Sequence, residues 1–311
     1  MAALLWSLYL PALQLILQVS GELAATLAVV WGAFFLVRAR RTRRARDWLA
    51  VGCCVGLGAL SRSAVMVLVP ALGLVELLGS PVGTRSRWRG VALFGSFFLL
   101  TVSPWIVRND AVFGRPVLGT TLSGYNLYRQ NYLLSSRDHL RVVAGAEGER
   151  AVKELLARRP DLRGTQNEAE MNAVYTSEAL RIIEARPLRY LRLCVHRFLP
   201  LWFNWGVLEA YGVRSRLRDY LLVGEQAFLL LLAAGGLGYL GREAWPLAAS
   251  VAAYSVAHML VNSQLRYIVP VMPLVIVLGA ATLLRVLRYF PEPWNIEETA
   301  SHDRVDEGAL R

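Results

Sequence analysis

Lysine is almost missing from this chain of 311 residues: Lys153 is the only one among 34 basic residues. An arginine excess of this kind is read as codon bias and carries no functional weight. Cysteine is scarce as well, with Cys53 and Cys54 adjacent in an apolar run and Cys194 alone. No CxxC or Cys/His spacing occurs, which excludes the common zinc and redox motifs. There is no GxxxxGK[ST], no HExxH and no GxSxG, so a P-loop nucleotide site, a zincin helix and a nucleophile elbow are all without support. A basic n-region before the first apolar run is also absent, and no cleavable signal is read there.

Apolar sequence is abundant. The chain is 55% hydrophobic with a mean hydropathy of +0.39, the composition of a polytopic membrane protein. The net charge of +11 does not indicate nucleic acid, because the arginines lie in short clusters beside the apolar runs. Runs near the roughly 20 residues that span a bilayer fall at 2–19, 21–37, 48–61, 64–79, 90–107, 219–240, 244–261 and 267–287. The expected fold is all-α, a polytopic integral membrane bundle of about eight spans with an extracytoplasmic helical segment.

Arginine sets the expected orientation. Arg38, Arg40, Arg41, Arg43, Arg44 and Arg46 follow the second run, and Arg85, Arg87 and Arg89 precede the fifth. Arg242, Arg285 and Arg288 border later runs. If the spans alternate, all fall on one side, which the positive-inside rule makes cytoplasmic. The other side then holds 20–22, 62–63, 108–218 and 262–266. The expected divisions are 1–107 (N-terminal membrane helices), 108–218 (extracytoplasmic loop and interfacial helices), 219–287 (C-terminal membrane helices) and 288–311 (a polar, disordered cytoplasmic tail).

Within the outer segment, 148–158 and 166–185 read as helices. The second has an apolar stripe at Met171, Val174, Leu180 and Ile183. Residues 187–205 mix Arg189, Arg192, His196 and Arg197 with Leu, Phe and Trp, and are expected to lie in the interface as an amphipathic helix. Pro104 and Trp105 end the fifth run at interface depth. After them, up to Asn131, comes a sequence read as a loop, rich in Gly, Thr, Asn, Tyr and Arg. The glycines of LLAAGGLGYLG read as helix-packing positions.

Charges at helix ends or inside the membrane are costly unless paired or solvated, so they are functional candidates. Glu22, Arg62, Arg108 and Arg266-Tyr267 all fall on the expected outer face. Arginines converging there suit an anionic lipid headgroup, since the guanidinium fork matches phosphate geometry. Each has a plainer alternative. Arg62 can snorkel at a turn, Arg266 and Tyr267 can anchor at the interface, and Glu22 can simply pair with an arginine. His258 reads as a packed polar residue and Asp110 as a solvated loop aspartate.

The order SGELAAT, VGLGALSRSAVMVLVPAL, SPWIVRNDAVFGRPVLGTTLSGYNLYRQN and RYIVPVMP resembles the GT-C superfamily, polytopic glycosyltransferases that use polyprenyl-phosphate-linked sugars. The nearest kin in pattern are bacterial relatives of protein O-mannosyltransferases, aminoarabinose lipid A transferases and the Rgt group. The resemblance rests on Ser61-Arg62, Pro104-Trp105, Arg108-Asn109, Phe113-Gly114, Gly124-Tyr125-Asn126, and Arg266-Tyr267 with Pro270 and Pro273.

The resemblance implies transfer of a sugar from a polyprenyl-phosphate donor to a lipid, glycan or protein acceptor at the outer face of a membrane, bacterial plasma membrane by the kin it points to. Membrane lipids are expected partners, and no metal, cofactor or nucleic acid is expected. Arg62, Arg108 and Arg266 would contact phosphate, with Asn109 and Tyr267 beside them in the substrate site. Tyr125 and Asn126 would line the acceptor or sugar site. The family's general base sits on a large first outer loop. Residues 1–37 resemble later spans, so the chain is expected to lack that N-terminal part, which leaves Glu22 as the weak catalytic candidate. A truncated, inactive homologue or a non-enzymatic subunit of an envelope assembly is the alternative. A transporter ranks last, because few midplane residues are polar.

Overall fold

The computed structural model describes residues 1–17, 20–79, 82–135, 140, 145–159, 167–205 and 216–287. The expected tail 288–311, with Arg288, lies outside them. Among the described residues every regular element is helical, so the protein is an all-α membrane bundle. Four stretches are long and apolar enough to cross a bilayer: Gly21–Thr42, Thr84–Phe113, Leu217–Val261 and Leu265–Val286. They contain four of the eight apolar runs and all but the last residue of a fifth, 267–287. Large side chains such as Leu27, Trp31, Phe34, Leu99, Leu100 and Leu231 remain exposed on them, as expected of surfaces that meet lipid.

The first run does not form one span. It makes two short helices, α1 (Ala2–Ser7) and α2 (Leu10–Ile16). Pro11 explains the break. It has no N–H to donate to the Ser7 carbonyl, and its ring would clash there in a continuous helix. Tyr9 between them is buried, and its hydroxyl accepts a 2.7 Å hydrogen bond from Gln226.

Next come α3 (Gly21–Thr42) and α4 (Ala45–Ser61). The run 64–79 begins as a 3-10 turn, Ser63–Val67, and continues as α5 (Leu68–Gly79). Helix α6 (Thr84–Phe113) carries Pro104 in its interior. The Leu100 carbonyl that Pro104 cannot satisfy accepts a 3.0 Å bond from the Ser103 hydroxyl. Helices α3, α4 and α6 pack side by side. Gly52 and Gly56 of α4 leave room only for α6: a Cβ on Gly52 would strike the Phe94 carbonyl, and one on Gly56 would come within 2.7 Å of Thr101.

Gly114 ends α6 in the left-handed conformation, with φ at 65°, its N–H bonded to the Asp110 carbonyl at 2.8 Å. The sequence beyond it is not loop throughout. Ser123–Asn131 forms helix α7, against α8 (Gly145–Arg158) and α9 (Glu168–Ala185). Tertiary contacts override weak local propensity here. The Gly124 N–H donates to Asn172 Oδ1 at 2.6 Å, and Tyr128 packs on Tyr175. A small core of Tyr128, Ala151, Val152, Leu155, Tyr175 and Ala179 unites the three. The buried face of α9 therefore runs through Met171, Tyr175, Ala179 and Ile182. The stripe read from the sequence differs, and its Leu180 is exposed.

The amphipathic segment 187–205 is two helices, α10 (Pro187–His196) and α11 (Phe198–Phe203). Arg197 at the joint is buried, not interfacial. It donates to the Met259 and Leu260 carbonyls at 3.2 and 3.1 Å, the Gln130 carbonyl at 3.0 Å and Asn131 Oδ1 at 3.1 Å. Burial pushes its pKa down to about 10, so it stays charged at neutral pH and ties α10–α11 to the end of α7.

The C-terminal helices are α12 (Arg216–Leu240), α13 (Trp245–Val261) and α14 (Met272–Val286), the last preceded by a 3-10 turn, Leu265–Val271. Gly235 and Gly236 of α12 sit against Thr282 and the Leu278 carbonyl of α14. Two glycines of the run are thus helix-packing positions, as the sequence suggests, while Gly238 and Gly241 face open space.

The charges sort to the two ends of the bundle. Arg38 pairs with Asp47 at 3.2 Å, Arg40 and Arg43 hold Glu76, and Arg41 pairs with Glu243 at 3.1 Å. Glu22 pairs with Arg62 at 2.9 Å. Glu22 and Arg41 sit near opposite ends of α3, about 30 Å apart by helical rise, which matches the thickness of a bilayer's hydrocarbon core.

Candidate functional site

At the Glu22 end, the start of α3 abuts the end of α4. A Cβ on Gly21 would lie 2.6 Å from the Ser61 carbonyl oxygen, and the Ser61 hydroxyl donates to the Gly21 carbonyl at 3.2 Å. This close approach sets Glu22, in the first turn of α3, beside Arg62, which leaves α4 in an extended conformation. Glu22 is 2% exposed and its carboxylate is bound to Arg62. It lines neither cavity described below, so in the structure it holds Arg62 in place.

The Arg62 guanidinium lies over the Tyr267 ring, 4.8 Å from its centre, and Arg266 approaches the same ring at 5.1 Å. The His258 imidazole stacks on Tyr267 at 5.0 Å with 17° between planes. The Tyr267 hydroxyl accepts from Asn262 Nδ2 at 3.3 Å and from Arg266 at 3.4 Å. His258 Nε2, buried, has no hydrogen-bond partner among the described residues.

This cluster borders a cavity of about 530 Å³ lined by Ser61, Arg62, Ser63, Thr120, Ser123, Asn126, His258, Asn262 and Tyr267, together with apolar side chains. A second cavity of about 400 Å³ shares Ser61, Ser63 and Thr120 with it and is bordered by Trp105, Arg108, Asn109 and Glu168. The two adjoin through that hydroxyl-bearing wall. Polar donors thus meet cationic groups at one end of an apolar bundle, a surface suited to an anionic, hydroxyl-rich ligand.

The expected site residues divide. Arg62, Asn126 and Tyr267 line the first cavity, and Arg108 and Asn109 the second. Arg108 is exposed and lies 5.0 Å over the Trp105 ring. Asn109 is 2% exposed with both ends of its amide engaged: Oδ1 accepts from Arg108 at 3.0 Å, and Nδ2 donates to the Val117 carbonyl at 3.0 Å. It braces Arg108 and the following loop. Arg266 is exposed beside Tyr267. Tyr125 is turned elsewhere, its hydroxyl bonded to Glu149 at 3.1 Å and its ring edge-on to Tyr175. One helical turn thus sends Gly124 to α9, Tyr125 to α8 and Asn126 to the cavity.

Asp110 is exposed and borders neither cavity. Glu168 is the acidic residue among the described lining residues of the two cavities, and its carboxylate accepts a 2.6 Å bond from the Thr121 hydroxyl. Sequence reasoning passed over it. Its signal is the Asn-Glu pair at the start of α9, where the Asn167 side chain caps the helix by accepting from two backbone N–H groups. No group of three or more His, Cys, Asp or Glu side chains able to hold a metal occurs among the described residues.

Comparison with known proteins bears on these helices. No curated protein and no solved structure matches the chain. Residues 1–107, which contain Glu22, Ser61, Arg62 and most of α6, match a family model described as dolichyl-phosphate-mannose-protein mannosyltransferase. The match spans about a third of the chain, and over those residues the chain is similar to that family.

Proposed function

We propose that the protein is a membrane glycosyltransferase that moves a sugar from a polyprenyl-phosphate donor to a cell-envelope lipid, glycan or protein acceptor. The observation that carries this reading is a cavity lined by Arg62, Asn126 and Tyr267, with Arg266 exposed against the Tyr267 ring, beside the ends of α3 and α4, which lie in the stretch that matches the mannosyltransferase family. The cavity faces the outer side if the arginine-rich end is cytoplasmic.

In the proposed reaction the acceptor hydroxyl oxygen attacks the sugar C1. The bond from C1 to the phosphate oxygen breaks, and the lipid phosphate leaves with the electron pair. Arg62 and Arg266 stabilise the charge that grows on that phosphate, the electrostatic part of catalysis. Asn126 and the hydroxyls of Ser61, Ser63 and Thr120 hold the sugar. The acceptor proton passes to the Glu168 carboxylate, which faces the second cavity together with Arg108.

Two variants test these roles in proteoliposomes supplied with labelled polyprenyl-phosphate sugars. Arg266→Ala is expected to lower transfer about tenfold or more, since charge-assisted bonds to phosphate contribute roughly 1.5–3 kcal/mol. Intact transfer would remove Arg266 from the phosphate site. Glu168→Gln is expected to lower kcat about a hundredfold with KM little changed, the signature of a lost proton acceptor. An unaltered kcat would show that the proton goes elsewhere.

A further inference from the structure

A second cationic cavity lies at the other end of the bundle, about 220 Å³ in volume. Arg40 and Arg41 from the end of α3 line it, with Arg43 just beyond, Arg242 and Glu243 from the turn before α13, and Gly79 closing α5. Four arginines gather here against two carboxylates, Glu243 and the buried Glu76 that Arg40 and Arg43 hold. Arg40 Nη1 is buried and has no hydrogen-bond partner among the described residues. A donor left over in this way, within a cationic excess, is an unfilled place for an anion's oxygen.

The cavity does not stand alone. An apolar groove of about 480 Å³ shares Val37 and Arg41 with it and runs along α3 toward the membrane middle. Val30, Ala33 and Phe34 of α3 form one wall, and Pro273, Leu274 and Val277 of α14 the other. Phe34 and Val277 are about half exposed. A cationic chamber at the membrane edge that opens into an apolar channel has the shape of one amphiphile, with an anionic head and a fatty chain.

We infer that this joined cavity and groove bind an anionic phospholipid, with its phosphate among Arg40, Arg41 and Arg242 and an acyl chain between α3 and α14. Basic pockets between membrane helices recognise such headgroups through charge and guanidinium geometry. The site is distinct from the cavity lined by Arg62 and Tyr267, which lies at the opposite end of α3. A phospholipid here clamps α3 to the turn before α13.

Native mass spectrometry of the full chain, titrated with dioleoyl phosphatidylglycerol or dioleoyl phosphatidylcholine, tests the assignment. The wild type is expected to retain one phosphatidylglycerol at concentrations where phosphatidylcholine is lost. Arg242→Gln is expected to weaken that retention about fivefold, the effect of one basic residue beside an anionic headgroup. Arg41→Gln/Arg242→Gln should weaken it further. Val277→Trp, which fills the groove and keeps every arginine, should also weaken it. Equal retention of the two lipids, or phosphatidylglycerol held equally by wild type and folded variants, would overturn the assignment. If glycerol 1-phosphate protects against heat as well as phosphatidylglycerol does, the site takes a free phosphate and the lipid is wrong.

Discussion

Arg62→Ala is expected to reduce sugar transfer by about a hundredfold or more, the usual loss when a preorganised donor to developing charge is removed. The same change also leaves Glu22 buried at 2% exposure without its 2.9 Å partner. Breaking a buried pair from one side costs about 3–5 kcal/mol, so a fall in stability should accompany the fall in activity. A second variant separates the two effects. In Glu22→Gln/Arg62→Met both charges are gone, and stability should return most of the way because no lone charge stays buried. Transfer should not return. Arg62→Lys keeps the charge but loses the planar fork and the broad contact over Tyr267, and intermediate activity is expected. Activity restored together with stability in the double variant would mean that Arg62 is a structural residue. Thermal unfolding and transfer rate, measured on the same proteoliposomes, give both readings.

Arg197→Met carries the largest expected effect on stability. Arg197 supplies donors to three carbonyls and to Asn131 Oδ1 from a buried position. Methionine fills much of the volume but leaves those acceptors without it. A buried group stranded in this way costs roughly 1–3 kcal/mol, so the sum is comparable with a typical domain's whole stability of about 5–15 kcal/mol. The expected result is poor accumulation in membranes and a fall in thermal midpoint well beyond that of any exposed change. Arg192→Met, on the exposed side of α10, is the control and should shift stability by about 0.5 kcal/mol or less. A silent Arg197→Met would show that the joint between α10 and α11 does not hold α7, and with it Asn126, against the bundle.

The division of charge between the two ends could be read from the sequence because it follows from local order. Arginine clusters flank apolar runs, and isolated charges such as Glu22 and Arg62 interrupt them. The structure gathers each set at its own end and joins Glu22 to Arg62, a pairing that was open on sequence grounds. The break after Ser7 could also be anticipated, since Pro11 is visible in the first apolar run.

Other features depend on contacts that no local pattern carries. Helix α7 holds Gly124 and polar residues that favour a turn, and it forms because Asn172 and Tyr175 of α9 receive it. Arg197 looks like Arg189 and Arg192 in sequence. Only the bend between α10 and α11 takes it inward. Tyr125 and Asn126 are neighbours in the chain, yet a helix separates them by about 100°, which sends one to Glu149 and the other to the cavity. Glu168 escaped notice because nothing in its neighbourhood records that α9 starts beside Arg108 and Thr121.

The central claim is that lipid-linked sugar reacts in the cavity bordered by Arg62, Asn126 and Tyr267. The most direct measurement supplies membranes containing the protein with a panel of labelled polyprenyl-phosphate sugars and follows the label. Label is expected to pass from one donor to a membrane or envelope acceptor, and to stay on the donor in membranes carrying Arg62→Ala. Transfer from no donor in the panel, or equal transfer in the two membranes, would contradict the account.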